Sequence, residues 1–308
     1  MELSPNHPFY SANDFYREKL GTKLVKLALD GGFTCPNRDG TLSDKGCIFC
    51  SGKGSGDFAA ERSLSISKQI ELMKDKMSAK WGKDKAYMAY FQAFTNTYAP
   101  LDRLEKLYNE AISCDGVTAL SIATRPDCIN EDICALLKSL SDKVYVCVEL
   151  GLQTSSDKTA EFINRCYKTD VYKNAVSLLN SFGIDVITHI ILGLPGEDYR
   201  DMLKSVQYAI NCGTSGLKLQ MLHILKGTGL AELYKTKPFH TFTFEEYINL
   251  ITDIIERIPP EIVIHRLTGD GDKRLLIEPW WSLDKRRVLN AINREFLLRG
   301  SCQGFMLK

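Results

Sequence analysis

The chain has 308 residues, of which 44% are hydrophobic and 25% are charged, so it is long enough to bury one large core. Its formal net charge of +1 neither requires nor excludes a nucleic-acid partner, because such binding depends on a local basic surface. No segment approaches the roughly 18 apolar residues of a membrane-spanning helix, and the start of the chain does not resemble a secretion signal. We therefore expect a soluble cytoplasmic protein without a membrane partner.

From residue 24 onward, short apolar runs alternate with segments of helical period, which is typical of repeated βα units. Six such units predict an α/β fold, a partial (βα)6 barrel of the TIM type, with the active site at the carboxyl ends of its strands. The predicted strands are Leu24–Leu29, Ala86–Gln92, Val117–Thr124, Lys143–Leu150, Ile184–Leu192 and Gly216–Leu222, and the predicted helices are Leu64–Trp81, Leu101–Ser113, Glu131–Leu140, Asp170–Phe182 and Glu197–Cys212.

The repeat stops at Lys237-Pro238, and a segment of different pattern follows. It predicts a helix at Phe244–Ile258, a strand at Ile262–Leu267 and a basic helix at Leu283–Leu298. We therefore divide the chain into an amino-terminal extension (1–23), a barrel core (24–237) and a small α+β carboxyl-terminal cap (238–308).

Three cysteines follow the first predicted strand in the loop TCPNRDGTLSDKGCIFCSGKGSGDF. Eleven residues separate Cys35 from Cys47, and two residues separate Cys47 from Cys50. A CxxC pair lets two thiolates reach one metal centre, and the long loop brings a third. In a reducing compartment this pattern indicates metal binding and not a disulfide. The other seven cysteines show no CxxC spacing, and small buried thiols explain most of them.

Three thiolates without a fourth ligand at matching spacing favour a [4Fe–4S] cluster with one open iron. Structural zinc sites and electron-transfer clusters normally take four protein ligands. An open iron can bind the amino and carboxylate groups of S-adenosylmethionine. Two alternatives remain: a zinc-stabilised loop that borrows a distant ligand such as His7, and a thioredoxin-like redox CxxC.

Distinctive segments lie at the ends of all six predicted strands: GGFTCPNRDGT with GCIFC, YFQAFTNTYAP, IATRPDCI, VELGLQT, HIILGLPGE and KLQMLHILKGTGL. Through them the chain resembles radical S-adenosylmethionine (SAM) proteins of the branch beside the catalytic subunit of Elongator, specifically the bacterial YtqA/YhcC (MnmL) type. The commonest spacing in that superfamily has three residues between the first two cysteines. The long loop of this chain fits the Elongator-like branch.

The resemblance implies that the three cysteines hold the cluster and that residues at later strand ends bind SAM. It assigns Gln92 to cofactor binding, Glu149 and Gln153 to the ribose and methionine parts, and Arg165 to the cofactor carboxylate, which a guanidinium can hold by two hydrogen bonds. Arg165 can alternatively form an ion pair on a helix surface. No catalytic residue beyond the cluster ligands is assigned.

The fifth and sixth strand ends provide the adenine side of the implied cofactor site. Ile191 and Gly193 resemble adenine contacts, because a glycine there allows close backbone approach. His223 resembles the segment that lies over the adenine. The alternatives are a core strand that ends in a tight turn and, for His223, a proton donor or a hydrogen-bonded core histidine.

The resemblance further implies a tRNA substrate, with conversion of a carboxymethylaminomethyl group on uridine 34 towards aminomethyl. A radical enzyme needs a reductant such as flavodoxin or ferredoxin. The long basic amino-terminal arm of Elongator's subunit is not seen, so a protein partner is also expected.

Some residues are compatible with an RNA partner. Tyr98, Trp280 and Trp281 can stack bases, and the basic terminal helix can meet phosphates, although the tryptophans can equally pin the cap onto the barrel. Arg266, Asp270 and Asp272 form either a loop over the substrate or a capped turn.

Two other functions remain open: a radical SAM enzyme for a small metabolite or tetrapyrrole, and a non-enzymatic iron–sulfur or zinc module.

Overall fold

In the computed structural model of the protein, the described residues are 2–54, 56–81, 86–269 and 271–307, without the side chains of residues 78–81. Asp270, which the sequence places in a polar loop, lies outside this part of the chain.

Seven parallel strands form the main sheet, and each pairs with the next strand of that sheet along the chain. A separate antiparallel pair, formed by Ile224–Leu225 and Leu276–Glu278, lies beyond the sixth strand. The strands are β1 (Leu24–Leu29), β2 (Ala86–Phe91), β3 (Val117–Thr124), β4 (Tyr145–Gln153), β5 (Asp185–Leu192), β6 (Gly216–Met221), β7 (Ile224–Leu225), β8 (Val263–Arg266) and β9 (Leu276–Glu278), of which β1 to β6 and β8 make the main sheet.

Helices connect successive strands on the outer face of this sheet. Capping boxes at Ser11, Asp198 and Thr243 satisfy the first backbone N–H groups of three of them. In the described part of the chain, no helix is both long and apolar enough to cross a membrane. The helices are α1 (Ala12–Leu20), α2 (Ile66–Trp81), α3 (Leu101–Ile112), α4 (Glu131–Ser141), α5 (Asp157–Phe162), α6 (Thr169–Ser181), α7 (Tyr199–Asn211), α8 (Gly229–Thr236), α9 (Phe244–Ile255) and α10 (Lys285–Arg299).

The predicted partial βα barrel is confirmed, with one strand more than the six expected. β8, which the sequence predicts as a strand of the cap, pairs in parallel with β6 and extends the sheet. The amino-terminal extension covers the outer edge of β8, where the Ile264 N–H donates to the Tyr10 carbonyl at 2.8 Å. The proposed domain boundaries at 23/24 and 237/238 stay a prediction.

The inner face of the sheet changes from apolar to polar along the strands. Near the amino ends, Tyr16 of α1 packs with Leu24, Met88, Ala119 and other apolar side chains, which fills that end of the barrel. Two residues further along each strand, the same face carries polar side chains. These are Lys26, Tyr90, Ser121, Glu149, His189 and Lys218. The opposite face packs against the helices through the main hydrophobic core.

Candidate active site

The loop with the predicted cluster ligands lies at the carboxyl ends of the strands. The Cys50 N–H donates to the Cys47 carbonyl at 3.0 Å, which makes a tight turn of the CxxC pair. Cys35, Cys47 and Cys50 line one cavity, which has a volume of about 180 Å³. We call it the cysteine cavity. The structure thus brings the three predicted thiols together.

Polar side chains that the sequence analysis missed hold this loop in place. Asn37, which is fully buried, donates through Nδ2 to the Asn164 carbonyl at 2.6 Å and lies 3.5 Å from the Cys47 Sγ. Arg38 donates to the Cys50 carbonyl at 3.0 Å. Hydrogen bonds of this kind orient metal ligands and tune the bound centre. The sequence feature that could have identified them is the run CPNRDG, in which polar residues come soon after the predicted ligand Cys35.

The cysteine donor set fits a cluster. A single zinc ion holds sulfur ligands roughly 3.8 Å apart, whereas the thiolates of a cubane bind different irons and need no such close grouping. Within the described ranges, no three His, Cys, Asp or Glu side chains form a group that can hold one metal ion. His7 is the distant ligand that a zinc site would borrow. It lies in the amino-terminal extension, where its Nε2 is 3.3 Å from Oδ2 of Asp14.

The protonation of Cys47 argues against the redox alternative. Burial, together with the neighbouring Cys50, raises the pKa of the Cys47 thiol to about 12. A thioredoxin-like cysteine needs a lowered pKa, because the thiolate is the reactive form. Iron cations would supply the charge that keeps this buried sulfur as a thiolate.

Four of the residues assigned to SAM also line the cysteine cavity, namely Gln92, Glu149, Gln153 and Arg165. Gln153 ends β4 with a left-handed φ of 66°, next to an irregularity of the strand pairing at Gly151. Its Oε1 is buried and accepts no hydrogen bond from the described residues. Since an unpartnered buried acceptor is costly, this oxygen fits an N–H or O–H group of a bound cofactor.

A model of the Radical SAM superfamily matches residues 35–209, and a model of the Radical_SAM C-terminal domain matches residues 214–297. The chain belongs to the Radical SAM superfamily. It is therefore an enzyme of the class that uses a [4Fe–4S] cluster and S-adenosylmethionine.

Relatives place this radical SAM enzyme in the Elongator-like branch, as predicted. It is 45% identical over 296 residues to the uncharacterized protein YtqA of Bacillus subtilis, which covers 96% of this chain and 92% of YtqA. It is 36% identical over 290 residues to protein YhcC of Escherichia coli, covering 93% of this chain and 92% of YhcC. The structure of archaeal Methanocaldococcus infernus Elp3 superposes with a TM-score of 0.67 at 17% identity, covering 89% of this chain and 63% of Elp3, and shows the shared fold.

Glu149 of this radical SAM enzyme is fully occupied by protein partners. Its Oε1 accepts from Lys26 at 3.0 Å and Ser121 at 2.9 Å. Its Oε2 accepts from Lys218 and contacts His189 Nε2 at 2.8 Å. The lysines hold the pKa of the Glu149 carboxyl well below its usual range, against the opposing effect of burial. These partners were not predicted, because each appears in the sequence only as a single polar residue inside an apolar strand.

Arg165 is buried with 1% exposure, and its Nη2 lies 3.6 Å from Oδ1 of Asp157 at the start of α5, so it forms an ion pair without being a surface side chain itself. All five of its N–H groups donate to the protein, and they tie the end of β4 to the loop that follows. The acceptors are the carbonyls of Leu152, Thr154 and Tyr167 and the hydroxyl of Thr169. Arg125 also lines the cysteine cavity and donates to Asp127 and to the Arg165 carbonyl.

Ile191 and His223 line a second cavity, which we call the histidine cavity, and Gly193 lines neither cavity. The two cavities adjoin, because Cys50, Gln92 and other residues line both. The Nε2 of His223 is buried without a hydrogen-bond partner in the described structure, so the hydrogen-bonded core alternative does not account for it. Ile191 and His223 thus line a cavity beside the cysteine site, and their assignment to the adenine side stays a prediction.

Gly193 is a packing position, and replacing it by alanine should destabilise the enzyme. Its φ is +88°, and a Cβ would lie 2.7 Å from Cε2 of Phe242. We expect the free energy of unfolding to fall by about 1 to 3 kcal/mol in urea denaturation. Gly183 has a φ of +72° with no atom within 4 Å of a Cβ, so Gly183→Ala carries the backbone strain alone. Equal losses in both variants would contradict the collision with Phe242.

The predicted RNA-contact residues differ in their surroundings. Trp281 donates from Nε1 to the Phe242 carbonyl at 2.9 Å and packs on Tyr247, so these contacts lie within the cap. Trp280 is 56% exposed. The Tyr98 hydroxyl lies 2.9 Å from that of Thr41. In α10, Arg299 pairs with the carboxylates of Asp253, Glu256 and Glu295.

Proposed function

We propose that this radical SAM enzyme acts in the cytoplasm on tRNA and converts a carboxymethylaminomethyl group at C5 of uridine 34 towards aminomethyl. The observation that carries the proposal is the eleven-residue spacing between Cys35 and Cys47. This spacing fits the Elongator-like branch. The resemblance implies that relatives on both sides of that branch act on wobble uridines of tRNA. The 45% identity to YtqA over nearly the whole chain supports the same subgroup.

When bound and reduced by a carrier such as flavodoxin or ferredoxin, the cluster and SAM supply a 5′-deoxyadenosyl radical that abstracts a hydrogen atom. Cys35, Cys47 and Cys50 would hold the cluster, and the buried Oε1 of Gln153 would orient the cofactor. Gln92 would contact the cofactor from the shared wall of the two cavities. These residues place the cofactor and exclude water from the reacting atoms.

For the other residues that the resemblance assigns to the cofactor, we propose roles that take their surroundings in the structure into account. Ile191 and His223 would line the adenine side, because they lie in the adjoining histidine cavity. Arg165 would act on the cofactor carboxylate indirectly, by holding the end of β4 that carries Gln153. Glu149 would position its neighbours in the barrel, with Gly193 supporting the turn after β5.

Exposed features of the cap support an RNA substrate. Trp280 presents an aromatic surface on which an extruded base can stack. Lys285, Arg286 and Arg287 begin α10 and can meet phosphates, although Arg287 also packs over the Phe244 ring at 4.4 Å. A protein partner can supply further affinity for the anticodon arm.

The test combines a deletion strain with the reconstituted enzyme. RNA from the deletion strain should accumulate the carboxymethylaminomethyl nucleoside, and plasmid-borne enzyme should restore the aminomethyl product while its Cys47→Ala variant should not. Anaerobic enzyme with dithionite and SAM should form 5′-deoxyadenosine faster with bulk tRNA from that strain than with wild-type tRNA. Unchanged nucleosides, with cofactor cleavage that no RNA stimulates, would contradict the tRNA proposal and favour a small-molecule substrate.

A further inference from the structure

One side-chain amide lies against the sulfur of a predicted cluster ligand. Nδ2 of Asn37 is 3.5 Å from Sγ of Cys47, a hydrogen-bond distance for a sulfur acceptor. Asn37 has 0% exposure, so water does not compete for this contact. An amide nitrogen carries two hydrogens, and the second one of Asn37 goes to the Asn164 carbonyl at 2.6 Å. Both donor positions of the amide are therefore used.

The neighbours of the Asn37 amide determine which end faces Cys47. The oxygen and the nitrogen of an amide have nearly the same shape, so the hydrogen-bond partners decide its orientation. If the amide were turned over, Oδ1 would face the Asn164 carbonyl and the Cys47 sulfur. A carbonyl and a thiolate ligand only accept hydrogen bonds, so two hydrogen bonds would become two repulsive contacts. The N–H end therefore faces the sulfur.

Backbone hydrogen bonds hold the chain on both sides of Cys47. The Gly46 N–H donates to the Asn37 carbonyl at 2.6 Å, and Nδ2 of Asn164 donates to the Gly46 carbonyl at 2.7 Å. On the other side, the Ile48 N–H donates at 3.1 Å to the carbonyl of the residue after α5. The amide and the sulfur are thus fixed relative to each other by the fold of the loop.

A hydrogen bond of this kind affects the electron affinity of a cluster. Hydrogen bonds to the sulfurs are among the features that set the reduction potential of an iron–sulfur centre. The reduced cluster carries one more negative charge than the oxidised cluster, so the positive end of an N–H group stabilises the reduced form more. Burial strengthens the effect, because the contact lies in a medium of low dielectric constant.

We propose that Asn37 is a positioning residue that fixes Cys47 and raises the reduction potential of the [4Fe–4S] cluster through an N–H···S hydrogen bond. The inference goes beyond the proposed tRNA reaction, because it concerns the one-electron reduction of the cluster and holds for any substrate. Its tests need no RNA, so they can fail or succeed independently of the tRNA proposal.

Asn96 provides a matched control at a second buried position. Like Asn37, it has 0% exposure and an Oδ1 without a hydrogen-bond partner in the described part of the chain. Its Nδ2 also donates to a backbone carbonyl, that of Ala123 at 2.8 Å, but Asn96 does not line the cysteine cavity. Asn37→Leu and Asn96→Leu therefore both remove a buried amide, and only the first removes a donor to a ligand sulfur.

The first measurement is an equilibrium redox titration of the reconstituted enzyme without SAM, followed by electron paramagnetic resonance of the reduced cluster. At the potential where half of the wild-type cluster is reduced, the ratio of reduced to oxidised cluster in Asn37→Leu should be about tenfold lower. For a one-electron couple this is a shift of about 59 mV towards lower potential. Asn96→Leu should keep the wild-type ratio. A wild-type ratio in Asn37→Leu, or an equal loss in Asn96→Leu, would overturn the proposal.

The second measurement decides the question if Asn37→Leu does not retain iron. The wild-type enzyme is prepared with ¹⁵N in the side-chain amides of its asparagines only, and the reduced cluster is studied by pulsed electron paramagnetic resonance without SAM. A ¹⁵N coupling that persists in Asn96→Leu and disappears in Asn37→Gln, which has an unlabelled amide, would support the hydrogen bond. The absence of a coupling in the wild-type enzyme, or its persistence in Asn37→Gln, would overturn it.

Discussion

Replacing Cys47 by alanine should abolish both the visible absorbance of the reconstituted cluster and the formation of 5′-deoxyadenosine. With two cysteine ligands left, the cubane loses the protein bond to one of its irons, and the loop loses the sulfur that Asn37 contacts at 3.5 Å. We expect iron and sulfide contents to fall to background after reconstitution, and cofactor cleavage to fall with them. Iron analysis and chromatography of the reaction mixture measure both effects.

Cys212→Ala is the matched control for this prediction. Cys212 is half-buried at the end of α7, away from the cysteine cavity, so its loss should leave the iron content and the cleavage rate unchanged. If the Cys47 variant still formed 5′-deoxyadenosine at the wild-type rate, our assignment of the cluster ligands would be wrong.

Replacing Arg165 by methionine should reduce the free energy of unfolding by about 3 to 5 kcal/mol, because buried hydrogen-bond acceptors would lose their charged donor. The Arg165 side chain has 1% exposure, and the carbonyls of Leu152, Thr154 and Tyr167 accept its hydrogen bonds. Urea denaturation followed by circular dichroism measures the loss. Arg165→Lys should recover only part of it, since an ammonium cannot reproduce the planar arrangement of donors.

Arg200→Met provides the comparison on an exposed helix surface, where we expect a change within about 0.5 kcal/mol. A direct cofactor role predicts a different pattern for Arg165. In that case the methionine variant would be as stable as the wild-type enzyme while its affinity for SAM would fall. That result would contradict the structural role that the hydrogen bonds indicate.

The sequence predicted the parts of the fold that depend on local pattern. Apolar runs bounded by helical segments identified β1, β3 and β5 closely, because a buried parallel strand is apolar on both faces. The strand at Val263–Arg266 was also predicted, but its place in the main sheet was not. Pairing with β6 depends on tertiary contacts, which a four-residue strand does not encode by itself.

The candidate site likewise has one part that the sequence predicted and another that it did not. The cysteine loop was visible because its three ligands lie within sixteen residues of one another, from 35 to 50. The polar interior was not visible, because Lys26, Glu149, His189 and Lys218 each appear as one polar residue in a separate apolar strand. Only the curvature of the sheet brings them together. Gly193 lies beside Phe242 and does not line the cysteine cavity, and its assignment to the adenine side stays a prediction.

The most direct test of the account is electron paramagnetic resonance of the dithionite-reduced enzyme, recorded with and without SAM, together with metal analysis. We predict about four irons per chain and a cluster signal whose g values change when SAM binds, because three cysteines leave one iron open to the cofactor. A protein that contains one zinc and no iron would contradict this claim, as would a cluster signal that SAM leaves unchanged.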